Sequence, residues 1–229
     1  QSGTNSRETA LKRTKYELVV FDWDGTLLDS AGAIVVAIQA ACRDIGHPPP
    51  SDEQARHVIG LGLVDALRQA APDLPAESYP ALVGRYRHHY LSGDHQLDLF
   101  KGVPELLGDL QAAGHILAIA TGKSRLGLER ALDHSGLRPL FQASRCADEC
   151  HSKPHPQMLD ELMAEFGVTG DTTLMIGDTS HDLLMARNAG VDSLAVTYGA
   201  HPHDHLLDHR PLACLHTVAE LGAWLKTNA

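Results

Sequence analysis

Apolar positions along this chain follow two regimes. Between about 30 and 98 they recur every three to four residues; elsewhere such stretches alternate with short continuous apolar runs. Leu18-Val19-Val20-Phe21 is the first such run, bounded by charge, and it predicts a buried parallel strand. Ala31 to Ile45 then carries Ile34, Val35, Ile38 and Cys42 on one helical face and stops at Gly46 and Pro48-Pro49-Pro50. Ser51 opens a second helix, with Gln54 three residues on completing a capping box. Gly60 and Gly62 interrupt, Leu63 to Ala71 resumes as helix, Pro72 and Pro75 end it, and a fourth helical stretch spans about 78–90. No strand signal falls between these helices, so they predict a helical insertion.

From Gly102 the second regime takes over. Val103-Pro104 starts a helix with Pro in its first turn, ending at Gly114. His115 to Ala120 predicts a strand that ends at Thr121-Gly122-Lys123, followed by a helix to about His134 and a short stretch around Phe141. A helix over Pro156–Phe166, a strand over Thr173–Ile176 ending at Gly177-Asp178, a helix over Ser180–Asn188, a strand over Ser193–Val196 and a terminal helix over Val218–Lys226 complete the pattern. Such alternation predicts an α/β fold, a doubly wound parallel sheet with helices on both faces. The expected organisation is a core formed by 16–29 and 101–229, an all-helical cap at 30–100, and a flexible polar arm at 1–15.

Composition narrows the class. A chain of 229 residues has room for one large domain or a domain with an insertion. Its 19 Lys+Arg against 29 Asp+Glu give a net charge of −10, and the basic residues are scattered, which argues against a nucleic-acid partner. No apolar run approaches bilayer length, and the polar segment 1–14 is expected to be neither signal peptide nor anchor. Four cysteines without a Cys-x-x-Cys pair predict reduced thiols and a cytoplasmic location.

The candidate chemistry sits where strands end. Asp22 and Asp24 follow the first strand, Thr121 the second and Asp178 a third, while Ser152-Lys153-Pro154 precedes a helix. A parallel sheet gathers strand ends on one edge, where open α/β sheets bind their ligands. Two carboxylates two residues apart are costly there unless a cation or a partner compensates. Together these residues supply oxygen ligands for a hard cation, and a hydroxyl, an ammonium and turn N–H groups for phosphate oxygens. Phosphoryl transfer needs such a set, because its transition state spreads charge over three equatorial oxygens.

In this order and at these strand ends, the motifs resemble those of haloacid dehalogenase-superfamily phosphatases, in the phosphoglycolate phosphatase-like branch with a helical cap. Asp22 to Thr26 match its Asp-x-Asp-Gly-Thr, Thr121 its strand-ending Thr or Ser, Lys153 its Lys before a helix, and Gly177, Asp178 and Asp182 its Gly-Asp-x-x-x-Asp. The matches run from 22 to 182, most of the chain. The resemblance implies a Rossmann-like core and a Mg²⁺-dependent phosphatase of small phosphorylated metabolites. By it, Asp22 would be the nucleophile that becomes an aspartyl-phosphate, and Asp24 the acid and base. Thr121, Gly122 and Lys153 would bind the phosphoryl group, helped by N–H groups near Trp23. Asp22, Asp178 and the main-chain carbonyl of Asp24 would hold the metal, with Asp182 orienting a metal water or Lys153. Lys101 and Gly32 depart from the family's usual Pro at each place, which bears on substrate and not on chemistry. A phosphosugar mutase of the same superfamily is the alternative, and a non-catalytic phospho-ligand module a less favoured one.

Other signals carry less. Gly122-Lys123-Ser124 lacks the earlier Gly of a P-loop, and Gly60-x-Gly62 follows no strand. Cys146, Cys150 and His151 lack a fourth zinc ligand. His201, His203, His205 and His209 are expected to lie in a solvated loop, with a transition-metal site as the lesser reading. Any of Arg56, His57, Arg68, Arg85 and Arg87 in the cap could meet a substrate carboxylate.

Overall fold

The computed structural model describes residues 15–229; the arm expected over 1–15 lies outside it except for Lys15. Six parallel strands form one sheet: β1 Leu18–Phe21, β2 Ile116–Thr121, β3 Ala143–Cys146, β4 Thr173–Gly177, β5 Asp192–Val196 and β6 Cys214–Leu215. Their order is β3-β2-β1-β4-β5-β6, so the chain reverses its direction of travel across the sheet on either side of β1. The pleat alternates side chains between two faces. Val19, Phe21, Leu117, Ile119, Leu174 and Ile176 join one buried cluster, and Leu18, Val20, Ala118, Ala120 and Met175 another. Both faces are therefore covered, which explains why these strands read as continuous apolar runs.

Helices α5 Val103–Ala112, α6 Arg125–Ser135 and α10 Val218–Asn228 close the first face through Leu106, Leu107, Leu128, Leu132, Leu221 and Leu225. On the second face lie α7 Gln157–Phe166 and α8 Ser180–Asn188, through Met158, Leu159, Leu162, Met185 and Ala186.

The segment between the first two strands is helical. α1 Ala31–Asp44, α2 Asp52–His57, α3 Leu63–Ala70 and α4 Tyr79–Leu91 enclose a separate cluster in which Ile34, Val35, Ile38 and Cys42 meet Ala55, Leu67 and Leu82. The Ser51–Gln54 capping box forms as the spacing predicts. The two crossings between this cap and the sheet run side by side. Leu28 bridges Leu99 in antiparallel sense, Asp29 N–H donates to the Asp98 carbonyl at 3.0 Å, and Phe100 N–H to the Leu27 carbonyl at 2.9 Å.

Three short elements depart from the sequence reading. β3 begins two residues after the stretch around Phe141. Its sequence Ala-Ser-Arg-Cys is polar because it is an edge strand, with Arg145 paired to Glu161 at 2.7 Å and Glu165 at 2.9 Å. β6 has two residues, and α9 His203–Leu207 is one turn of helix within the His-rich segment. None is long enough to show a period.

Candidate active site

Asp22 follows β1, its N–H donating to the Ile176 carbonyl of β4 at 2.9 Å, so it sits where the two central strands part. Lys153 comes in from the segment before α7. Its Nζ is 2.9 Å from Asp22 Oδ1 and 2.7 Å from Asp182 Oδ1. Asp182 is fixed by its own helix: its Oδ2 accepts from Thr179 N–H at 3.1 Å and Thr179 Oγ1 at 2.8 Å, the capping box of α8. Asp178 ends β4; its Oδ1 accepts from Thr26 Oγ1 at 3.0 Å and its Oδ2 from Ala200 N–H at 2.7 Å. Gly25, at φ +80°, passes so close that a Cβ there would collide with the Asp178 carboxylate. That contact and the turn itself both require glycine.

Three carboxylates and one ammonium are thus buried together. Asp22, Lys153 and Asp178 are only 1%, 2% and 0% exposed. Burial, then Asp182 and Asp178, push the Asp22 carboxyl well above its usual range, against the pull of Lys153. Burial and Asp182 push Asp178 up to about 7, in spite of the Ala200 N–H and the Thr26 hydroxyl. Burial weakens the hold of Lys153 on its proton, but Asp182 and Asp22 outweigh it and keep the ammonium charged.

The surplus is negative, and one atom shows what would balance it. Asp22 Oδ2 is buried without a hydrogen-bond partner, whereas both oxygens of Asp178 and of Asp182 have one. Carboxylate oxygens of Asp22, Asp178 and Asp182 lie within 4.8 Å of one another. An all-oxygen set with surplus negative charge and an orphaned acceptor fits a hard divalent cation. The Asp24 carboxylate is not in this group. Its Oδ1 instead accepts from Ser30 Oγ at 2.8 Å and lies 3.2 Å from Lys123 Nζ.

Thr121 is fully buried at the end of β2, where its Oγ1 accepts from Lys123 N–H at 3.1 Å. The next residue, Gly122, is pressed by the cap: a Cβ there would collide with the carbonyl oxygens of Gly60 and Leu61. Gly62 N–H donates to Ser152 Oγ at 2.8 Å, beside Lys153. The Trp23 N–H donates to Asp22 Oδ1 at 2.7 Å, so in this state it serves Asp22 itself. A cavity of about 1530 Å³ lies between cap and sheet, lined by Asp24, Leu61, Tyr86, Tyr90, Lys123 and Arg130 among others. Asp22, Thr121, Lys153 and Asp178 do not reach its wall.

Two features escaped the sequence reading. Lys123 reads as the tail of a failed P-loop, yet it reaches both Asp24 and Tyr90. Its position two residues after a strand-ending Thr was the available signal. The His-rich segment is the other. His201 is 3% exposed, contrary to the solvated loop expected, because Ala200 N–H is anchored to Asp178. His57, His201 and His205 bring ring nitrogens within 4.8 Å of one another. Both nitrogens of His201 are engaged, Nδ1 by Ser180 N–H at 3.0 Å and Nε2 by the His57 carbonyl at 3.1 Å, so it has no lone pair to spare for a metal. Among the cap cations, Arg85 is paired with Asp44 at 2.6 Å, while Arg87 lines the cavity.

Fold and site together define an α/β enzyme whose cleft lies at the switch point of a parallel sheet, beneath a helical cap. The chain belongs to the haloacid dehalogenase-like hydrolase family, whose model matches residues 19–196. It is 38% identical over 210 residues to the "Probable phosphatase IndB" of Dickeya dadantii, covering 89% of this chain and 91% of that one. The phosphoglycolate phosphatase of Aliivibrio fischeri is 35% identical, over 85% of this chain and 90% of its own. Among solved structures, that of a predicted phosphoglycolate phosphatase from Haemophilus somnus superposes with a TM-score of 0.82 at 27% identity, covering 94% of this chain and 99% of that one.

Proposed function

We propose that this hydrolase is a Mg²⁺-dependent phosphatase acting on a small phosphorylated metabolite through a covalent intermediate on Asp22. The observation that supports it best is the orphaned Oδ2 of Asp22, on a carboxylate whose other oxygen is held by Lys153 Nζ at 2.9 Å. An unpaired carboxylate oxygen beside a fixed ammonium and two further carboxylates does nothing for the fold, since burying it uncompensated costs on the order of several kcal/mol. It has a good chemical rationale. Asp22 and Asp178, with the main-chain carbonyl of Asp24, are the groups that would hold the ion; when bound, it would supply positive charge to offset the negative charge on the phosphoryl oxygens.

The residues then divide the work. Lys153 and Thr121 bind phosphoryl oxygens, with turn N–H groups at Trp23 and Gly122, while Asp182 keeps Lys153 aimed. A carboxylate oxygen of Asp22 attacks phosphorus; the new P–O bond forms as the ester P–O bond breaks. Asp24 gives its proton to the departing oxygen. In the second half Asp24 takes a proton from water, whose oxygen attacks phosphorus and releases Asp22 and inorganic phosphate. The cap keeps other water away while the intermediate exists.

Release of inorganic phosphate from a panel of phosphate monoesters, phosphoglycolate and nucleoside monophosphates included, tests this. Activity should vanish with EDTA, return with Mg²⁺, and be lost in Asp22→Asn for every substrate. An Asp22→Asn protein that still turns over at the native rate, or native activity that survives exhaustive chelation, would overturn the reading.

A further inference from the structure

Lys123 has no part in the chemistry above, yet it occupies a telling position. It follows Thr121-Gly122 at the end of β2, and its Nζ reaches three groups. Asp24 Oδ1 lies 3.2 Å away, the Tyr90 hydroxyl accepts from Nζ at 3.2 Å, and the Tyr90 ring centroid lies 4.9 Å beneath it. Lys123 and Asp24 side chains are each 11% exposed, so the pair is largely shielded from water at the cavity wall. Tyr90 belongs to α4 of the cap and stacks on Tyr86 at 5.8 Å with 12° between the rings. Burial, and then the negative charge of Asp24, hold the Tyr90 phenol in its neutral form.

These contacts converge on the residue that handles the proton. Ser30 Oγ donates to Oδ1 of Asp24 at 2.8 Å, and Lys123 Nζ lies 3.2 Å from the same oxygen. A carboxyl pinned at one oxygen by a hydroxyl and an ammonium has its plane restricted, and the direction in which it can deliver a proton with it. Lys123 and its partner Tyr90 come from elements that move relative to each other if the cap opens. Lys123 is fixed to the sheet by its N–H bond to Thr121, while Tyr90 rides on the cap. A Lys ammonium on a flexible stem needs such a partner to stay in one place.

Resting on the phosphatase reading, we propose that Lys123 is a positioning residue for Asp24, and that Tyr90 completes the arrangement only when the cap is closed. Cap closure thereby aligns the acid as well as excluding water. A lysine that merely braces the fold would affect every substrate alike. One that aligns the acid matters in proportion to how much the leaving group needs a proton.

The experiment compares p-nitrophenyl phosphate, whose leaving group needs little protonation, with an alkyl phosphate hydrolysed by the same protein with Mg²⁺ present. The readout is kcat/KM, which covers the steps up to departure of the leaving group. Lys123→Met should lower the alkyl value by roughly 10- to 100-fold and the p-nitrophenyl value by less than about threefold. Lys123→Arg should recover much of the alkyl rate, and Tyr90→Phe should show a smaller loss with the same bias. Equal losses on both substrates, or none on either, would overturn the proposal. Asp24→Asn serves as the reference. If it shows no leaving-group bias, the acid assignment itself fails; if it shows the bias and Lys123→Met does not, only the role of Lys123 fails.

Discussion

At the scale of single residues, the site is governed by close approaches that leave no room for a methyl group. Gly122 makes the sharpest case. It ends the β2 turn, and the carbonyls of Gly60 and Leu61 descend on it from the cap, so a Cβ would strike both oxygens. The clash exists only when the cap is down. Gly122→Ala should therefore lower kcat/KM about tenfold or more, since losing about 1.4 kcal/mol of closure is already a factor of ten. The sheet should be unaffected, with a melting temperature within a few degrees of native. A Gly122→Ala protein of native activity would show that closure does not press the cap onto this turn. That Asp22, Thr121 and Asp178 would lie at one edge was legible in sequence, because strand ends in a parallel sheet converge. The unpaired Oδ2 of Asp22 was not legible, since it depends on where Lys153, Asp178 and Asp182 spend their own hydrogen bonds.

Among elements, the contact between α2 and the start of α8 shows how cap and sheet meet. A helix leaves its last carbonyls unpaired. The His57 carbonyl, in the last turn of α2, accepts from His181 Nε2 at 2.6 Å and His201 Nε2 at 3.1 Å. The His57 ring stacks on His201 at 5.3 Å. Burial depresses both donor imidazoles, that of His201 to about 4 from an ordinary 6.5. An unfolded chain thus binds more protons here than the folded one between those values. The stabilisation from a neutral His201 is complete above about pH 6.5 and is lost as pH falls toward about 4. Melting curves across that interval should fall with acidification, and less steeply in His201→Phe, which has nothing to protonate. Parallel slopes in the two proteins would refute this assignment.

For the molecule as a whole, the arrangement described is a closed one. The proposed nucleophile is 1% exposed, and the large cavity stops short of it. Substrate is therefore expected to reach Asp22 by a swing of the cap about the paired crossings at 27–30 and 98–100, the covalent links between cap and sheet among the described residues. The Gly62 amide reports this motion directly, because its bond to Ser152 Oγ crosses from cap to sheet. Its hydrogen exchange should be fast in the free protein and slowed about tenfold or more by vanadate with Mg²⁺, which would hold the closed state. Exchange that is equally slow with and without the anion would mean the cap does not open in this way.

What the chain determined by itself was periodic or local. Alternation of apolar runs with helical spacing predicts the doubly wound sheet, the succession of helical stretches over 31–91 with no strand-like run between them predicts the cap, and the Ser51–Gln54 box forms because capping involves neighbours in sequence. The edge strand β3, the two residues of β6 and the single turn of α9 carried no such signal, being too short to complete a period. Tertiary structure alone decided the rest. It buried His201 by anchoring Ala200 to Asp178, and it set Lys123 against an aspartate ninety-nine residues earlier and a tyrosine on another layer. Periodicity records which face of an element is buried. Which polar atoms meet across elements depends on strand order and on how the cap settles, and that information exists only once the chain has closed on itself.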